Sequence, residues 1–138
     1  MSEERIFAID PGKDKLGIAL LDEEGNILYK KIVTKNSLPE VFSLTLSDKK
    51  NFTIVVGNST GREFVVDFLR EREIPYRLVN ERGSSEEAKI LYFKENPPRG
   101  IKKFFPASFL FPKEPFDDWQ AVVIGRRFLR LKQTEERE

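Results

Sequence analysis

The 138-residue sequence contains neither cysteine nor histidine. Without thiols it can form no disulfide and no thiolate metal site. Without imidazoles it has no Ser-His or Cys-His catalytic pair and no histidine-bound zinc. The metal chemistry left to it is that of oxygen ligands, in which carboxylates bind Mg²⁺ or Mn²⁺.

The sequence also lacks long apolar runs and a strong excess of charge. No run approaches the ~20 apolar residues of a membrane span, and no signal-peptide pattern precedes the first apolar run. We therefore expect a cytoplasmic protein with no membrane partner. The 24 basic and 23 acidic residues give a net charge of +1, which by itself identifies no partner. The length predicts a single domain over residues 1–138.

Local composition is most unusual in residues 96–115, which hold five prolines and four phenylalanines among basic residues. We interpret this segment as an irregular, partly packed, basic loop. Lys102 and Lys103 are candidates for phosphate contacts, and Phe104 and Phe105 for stacking on bases. Equally, the phenylalanines suit a core and the lysines a solvated surface. A polar tail is predicted from Lys132 onward.

The first apolar run, residues 6–9, stops at Asp10 and is followed at once by Pro11 and Gly12. A short β-prone run closed by Pro-Gly predicts a buried strand and a turn. Asp10 would then lie at the carboxyl end of a strand, where open α/β sheets bind ligands. A purely structural role, in which Asp10 caps the turn, is also consistent with the pattern.

The pattern along the chain predicts the element order βββ-α-β-α-β-α-loop-α. Three capping-box patterns, at Ser37, Thr60 and Ser84, predict helix starts, and Asp117 opens the last helix. Strands one to three form an antiparallel meander, and strands four and five return through helices parallel to strand one. The result is an α/β fold with a mixed five-stranded sheet of order 3-2-1-4-5. The predicted strands are residues 5–9, 16–21, 27–33, 52–56 and 76–79.

Two acids follow parallel strands of this predicted sheet. Asp10 follows strand one and Glu81 follows strand five, so both lie at the same edge. If strand four separates them, their strands are roughly 10 Å apart. Asn58, at the end of strand four, would lie between them, where it suits a metal-bound water or a phosphate.

A third acid comes from the last helix. Asp118 shares a helical face with Ala121, Val122 and Gly125, and this small apolar face suits close packing on the sheet. An acid there is unfavourable unless a positive or hydrogen-bonding group meets it, and a divalent metal shared with Asp10 would do so. Asp117 is instead predicted to be the N-cap residue.

Four groups of motifs, in order, resemble the RuvX/YqgF branch of the ribonuclease H-like fold, and the resemblance extends from residue 5 to about residue 129. The motifs are Ile9-Asp10-Pro11-Gly12 with Leu16-Gly17-Ile18-Ala19, Val55-Val56-Gly57, Asn80-Glu81-Arg82 with Glu87-Ala88, and Asp118-Trp119-Gln120-Ala121-Val122.

This resemblance implies a ribonuclease H-like nuclease that resolves Holliday junctions or processes precursor 16S rRNA. Asp10, Glu81 and Asp118 would be its catalytic residues and would hold one or two Mg²⁺ or Mn²⁺ ions, which supply the activated water and the leaving-group charge of phosphodiester hydrolysis. The partner would be branched DNA or precursor rRNA. Arg82 suits either a phosphate or a neighbouring acid.

Two other functions are compatible with the sequence. One is a nucleic-acid-binding or ribosome-maturation factor of the same fold with little or no catalysis. The other is an actin- or hexokinase-type phosphotransferase, since those proteins open with a similar Asp-x-Gly hairpin, although they need a second such domain to enclose ATP. The sequence leaves open whether the substrate is DNA or RNA, and whether the protein is a monomer or a homodimer.

Overall fold

The computed structural model describes residues 4–45, 51–106 and 109–137. Two short 3₁₀ turns, Lys35–Ser37 and Gly100–Phe104, accompany the main elements. The strands are β1 (Arg5–Pro11), β2 (Lys15–Leu21), β3 (Ile27–Thr34), β4 (Phe52–Gly57) and β5 (Arg77–Val79). The helices are α1 (Leu38–Thr45), α2 (Arg62–Glu71), α3 (Ser84–Glu95) and α4 (Asp117–Arg137).

The five strands form one sheet in the order β3-β2-β1-β4-β5, which confirms the predicted α/β architecture. β1 pairs antiparallel with β2 and parallel with β4, and β5 runs parallel to β4. β1 is longer than predicted, because the hairpin ladder continues to Pro11 opposite Leu16. Its parallel pairing with β4 ends at Ile9 opposite Val56, so Asp10 lies just past that pairing, inside the hairpin.

Strand alternation divides the core into two layers. On one face of β1, Phe7 and Ile9 pack in a cluster that also contains α1 and α2 residues. On the other face, Ile6 and Ala8 pack in the cluster formed with α3 and α4. Since successive side chains point to opposite faces, Asp10 belongs to the α4 face.

α4 lies close against the sheet, as its predicted small apolar face requires. Ala121 and Val122 are fully buried. A Cβ atom on Gly125 would lie 2.6 Å from Leu21 Cδ1 and 3.2 Å from Ala8 Cβ. The first part of α4 is therefore fixed over β1 and β2.

Two of the predicted helix starts differ from those observed. α2 and α3 begin after Gly61 and Gly83, and neither has a side-chain cap hydrogen bond. The capping-box predictions at Thr60 and Ser84 are therefore wrong. Gly83 takes a left-handed conformation with φ of 77°, which glycine adopts without strain, so a backbone turn starts α3.

The predicted polar tail is also different, because α4 continues as a helix to Arg137. Lys132 Nζ donates a hydrogen bond to Glu4 Oε2 at 2.5 Å, which ties this part of α4 to the start of β1. Within residues 4–45, 51–106 and 109–137, no helix is both long and apolar enough to cross a membrane.

The loop predicted at residues 96–115 is largely irregular, with the turn Gly100–Phe104 and a buried Leu110. Ala107 and Ser108 lie outside the described residues. The phenylalanines of the loop are exposed, by 78% at Phe104 and 51% at Phe105. The core interpretation of these two side chains is therefore wrong.

Candidate metal centre

Asp10 is almost buried, with 7% of its surface exposed. Because side chains alternate along β1, it lies on the face of the sheet that packs against α4. Gly17 pairs directly with Asp10 on β2, and Gly57 ends β4. Both glycines have the same strand phase as the residues that pack against α4. With no side chains at these two positions, other groups can approach the Asp10 carboxylate from either side.

Glu81 takes the space above Gly57. A Cβ atom on Gly57 would lie 2.7 Å from Glu81 Cγ and would overlap the Glu81 carboxyl group. The absent side chain of Gly57 thus lets Glu81 reach Asp10 across the width of β4. Glu81 Oε1 is buried and has no hydrogen-bond partner in the described chain.

The pKa of Asp10 is raised to about 9, first by burial and then by a hydrogen bond and the negative charge of Glu81, with a further contribution from the charge of Asp117. Two carboxyl groups can hydrogen-bond each other only when one of them carries a proton. Without a cation, the Asp10–Glu81 pair therefore keeps a proton at neutral pH. A buried carboxyl group beside a second, half-buried one favours either a shared proton or a bound cation.

The acid of α4 that acts on Asp10 is Asp117. Gln120 N donates to the Phe116 carbonyl at 3.1 Å, so Asp117 is the first residue of α4 and the N-cap role predicted for it is wrong. A Cβ atom on Gly17 would overlap the Asp117 carbonyl oxygen, which shows how closely the helix start covers β2. Burial raises the pKa of Asp117, Asp118 raises it further, and Lys15 opposes both effects.

Asp118 has a different partner. Its Oδ2 accepts a 2.6 Å hydrogen bond from Lys30 Nζ on β3, and its Oδ1 accepts one from Trp119 N at 2.9 Å. Lys30 Nζ also lies 4.4 Å from the centre of the Trp119 ring. The positive group that the sequence requires beside Asp118 is therefore supplied by the chain itself.

The remaining predicted residues lie apart from this pair or at its margin. Asn58 is exposed and its N–H donates to the Val79 carbonyl at 2.8 Å, whereas Gly57 is the residue directly under Glu81. Arg82 is exposed beside Glu81, and Lys102 and Lys103 are exposed on the loop.

Arg127 of α4 is half-buried. Its side chain donates to the Asn80 carbonyl at 2.9 Å and pairs with Glu87 at 3.1 Å. This residue connects α4 to the loop that carries Glu81.

Asp10 and Glu81 match a divalent-cation site in one respect and differ from such a site in another. A buried carboxylate oxygen without a donor, facing a second buried carboxyl group, suits a divalent cation. Within residues 4–45, 51–106 and 109–137, however, no three acidic side chains are already arranged as a metal-binding group. The chain thus provides two facing ligands, with Asp117 and Asp118 at the adjacent helix start.

We expect the two flanking glycines to respond differently to alanine. Gly57→Ala meets the end of a flexible side chain, so Glu81 swings away and the melting temperature changes little. Gly17→Ala meets the backbone of α4, and we expect it to cost about 1–3 kcal/mol of stability. Thermal melts and Mn²⁺ titrations of both variants test this. Of the two variants, only Gly57→Ala should lose Mn²⁺ binding without losing stability. Equal melting temperatures for the two variants would contradict the close contact between Gly17 and the α4 backbone.

No protein-family model matches the chain, and no curated protein matches it. One solved structure with a resemblance is a ROK family transcriptional regulator, described as a homolog of the E. coli MLC protein. It aligns with a TM-score of 0.45 and 13% sequence identity, over 64% of this chain and 31% of that one. The chain thus spans about a third of the length of that regulator, and so partial a likeness has no bearing on function.

Proposed function

We propose that this protein is a metal-dependent nuclease that hydrolyses phosphodiester bonds in structured nucleic acid. The observation that carries the proposal is the buried Glu81 Oε1, which has no partner in the described chain and belongs to the carboxyl group beside Asp10. A buried oxygen without a hydrogen-bond partner destabilises the folded protein unless a bound ligand interacts with it. The ordered motifs around Asp10, Glu81 and Asp118 give the proposal its reaction class.

Asp10, Glu81 and Asp117 are the residues that would hold the ion. When bound, Mg²⁺ or Mn²⁺ there supplies an activated water and a counter-charge for the leaving oxygen. Asp10 and Glu81 contribute a desolvated site that gives up its shared proton when the cation enters. The start of α4, packed over Gly17, keeps bulk water from one side of that site.

The test is cleavage of labelled junction DNA and of precursor rRNA by purified protein with Mn²⁺, Mg²⁺ or EDTA. We expect cleavage of at least one substrate with either metal and none with EDTA. Glu81→Gln, which keeps the size and polarity of the side chain, should be inactive while melting at or above the temperature of the wild type. Cleavage that persists in EDTA would overturn the proposal.

A second candidate function is nucleic-acid binding without catalysis. The observation that favours it is the Lys30–Asp118 ion pair at 2.6 Å, which gives one predicted metal ligand a partner already. A factor of this kind would bind the same nucleic acids with the same affinity in Mn²⁺ and in EDTA. It would leave them intact in both, and that result separates it from the nuclease.

The basic loop should contribute to binding and not to chemistry. We expect Lys102→Ala combined with Lys103→Ala to weaken nucleic-acid binding and to flatten its salt dependence. With fewer phosphate contacts, binding releases fewer counterions from the nucleic acid. Single-turnover cleavage at saturating substrate should barely change. Binding measured over a range of salt concentrations is the readout, and an unchanged slope would assign both lysines to the solvated surface.

A further inference from the structure

Large apolar side chains are exposed along residues 99–113. The exposed fractions are 76% for Ile101, 78% for Phe104, 70% for Phe109 and 83% for Phe111. Exposing this much apolar surface in one segment is unusual for a soluble chain and marks an interaction surface. We call residues 99–113, without the undescribed 107 and 108, the aromatic segment.

Positive charge accompanies these rings. Between Arg99 and Lys113 the sequence has four basic residues and no acidic one. Lys103 Nζ lies 5.2 Å from the centre of the Phe104 ring, and Lys89 Nζ of α3 lies 5.1 Å from that of Phe111. Exposed rings alternating with cations suit a polyanion that also presents flat apolar faces.

The space beside the aromatic segment is of ligand size. A cleft of about 960 Å³ lies between the segment and the end of α3, and Tyr92, Arg99, Lys102 and Phe111 are among its lining residues. Ligand pockets typically measure about 300–1,000 Å³. The cleft therefore has room for nucleotides, and its walls carry aromatic and basic groups together with Glu95 and Glu114.

The aromatic segment leads to the candidate metal centre. α3 starts beside Glu81, where Ser84 N donates to the Glu81 carbonyl at 2.8 Å, and its 12 residues span about 18 Å. The segment follows the far end of α3, and Lys113 is only a few residues before Asp117. A strand lying along the segment can thus run from the far end of α3 to the acids.

We infer that the aromatic segment holds an unpaired strand of nucleic acid and delivers it to the acidic pair. This deepens the proposed function and rests on it. A duplex hides its base faces and offers the rings nothing to stack on, whereas an unpaired strand offers both bases and phosphates. The substrate of the centre is then one with a single-stranded flank or loop.

The test measures binding of fluorescein-labelled oligonucleotides of about ten nucleotides, as DNA, as RNA and as the matched DNA duplex, by anisotropy in EDTA. We expect both single strands to bind more tightly than the duplex. Phe104→Leu with Phe111→Leu keeps the apolar bulk but removes the π faces, and should raise the Kd for single strands about fivefold or more.

Two matched variants complete the design. Tyr29→Leu removes an exposed ring from β3 and should leave the Kd unchanged, and Phe104→Trp with Phe111→Trp should keep wild-type affinity. Equal binding of duplex and single strand would overturn the inference. So would an unchanged Kd for the leucine variant.

Other occupants give different results. Cosedimentation with phosphatidylserine vesicles, without binding to oligonucleotides, would overturn the inference in favour of a membrane surface. Self-association in sedimentation velocity that is abolished by the leucine changes, again without oligonucleotide binding, would identify a second copy of the chain. Binding is measured in EDTA and so does not depend on cleavage. If the protein binds single strands but cleaves no substrate with Mn²⁺ or Mg²⁺, the proposed function is contradicted and the binding result stands.

Discussion

We expect Asp10→Asn to make the apo protein more stable and to remove the metal-dependent cleavage proposed for it. The substitution replaces a buried ionisable group beside Glu81 by a neutral one, and the new amide can donate to Glu81 Oε1, which has no partner in the described chain. One pKa unit corresponds to about 1.4 kcal/mol. Allowing for relaxation of the buried pair, we expect a gain of about 1–3 kcal/mol in the free energy of unfolding at pH 8.

The gain should depend on pH in one direction. The pKa of Asp10 is about 9 in the folded chain and about 3.9 in an unfolded one. Between these values the folded state holds a proton that the unfolded state has lost, so this group's contribution to stability falls as the pH rises. The difference between Asp10→Asn and the wild type is therefore small near pH 4 and grows toward pH 9.

Denaturant melts at several pH values, with and without Mn²⁺, measure this effect. Mn²⁺ should stabilise the wild type, because a ligand of the native state adds RT ln(1 + [L]/Kd), and should do little for the variant. Asp67→Asn, at an exposed acid of α2, is the control and should show neither effect. Wild-type turnover by a folded Asp10→Asn protein would refute the mechanism.

We expect Asp117→Asn to weaken Mn²⁺ binding more than Asp118→Asn does. Asp117 is the α4 acid whose charge raises the pKa of Asp10, whereas Asp118 pairs with Lys30 at 2.6 Å. We expect at least a tenfold rise in the Mn²⁺ Kd for Asp117→Asn, about 1.4 kcal/mol or more. The two substitutions make the same chemical change at adjacent residues, so each is the other's control.

Asp118→Asn has a consequence of its own. It leaves Lys30 without its partly buried ion-pair partner, and we expect a small loss of stability instead of a loss of metal. Lys30→Met should then restore part of that loss in the Asp118→Asn background. If Asp118→Asn abolishes Mn²⁺ binding while Asp117→Asn does not, the ion displaces Lys30 and the family resemblance assigns the ligand correctly.

The fold followed from sequence patterns because those patterns are strong and local. The apolar run before Asp10, the turn at Pro11-Gly12 and the alternation of apolar runs with helical segments leave few ways to order five strands. Helix starts were less predictable. At α3, Gly83 begins the helix with its backbone, so the Ser84 pattern had the right composition but the wrong role.

The site was predictable as far as strand ends determine it. Asp10 and Glu81 do face each other, but the reason lies at Gly57, whose missing side chain gives Glu81 its place. Gly17 and Gly57 share the strand phase of Asp10, and that signal was already present in the sequence. Whether Asp117 or Asp118 serves the site depends on where the first turn of α4 begins and on a lysine of β3, and sequence patterns specify neither.

The close packing of Gly125 on Ala8 and Leu21 means that the candidate site is complete only when α4 is docked on the sheet. Asp10 and Asp117 are about a hundred residues apart, and the packing of α4 on the sheet brings them together. The third proposed ligand joins the site only when α4 docks, so a chain with a complete sheet but an undocked α4 would have an incomplete candidate centre. We therefore expect amide hydrogen exchange in α4 to slow when Mn²⁺ is added, because an ion bound by both Asp10 of β1 and Asp117 of α4 would hold the helix on the sheet.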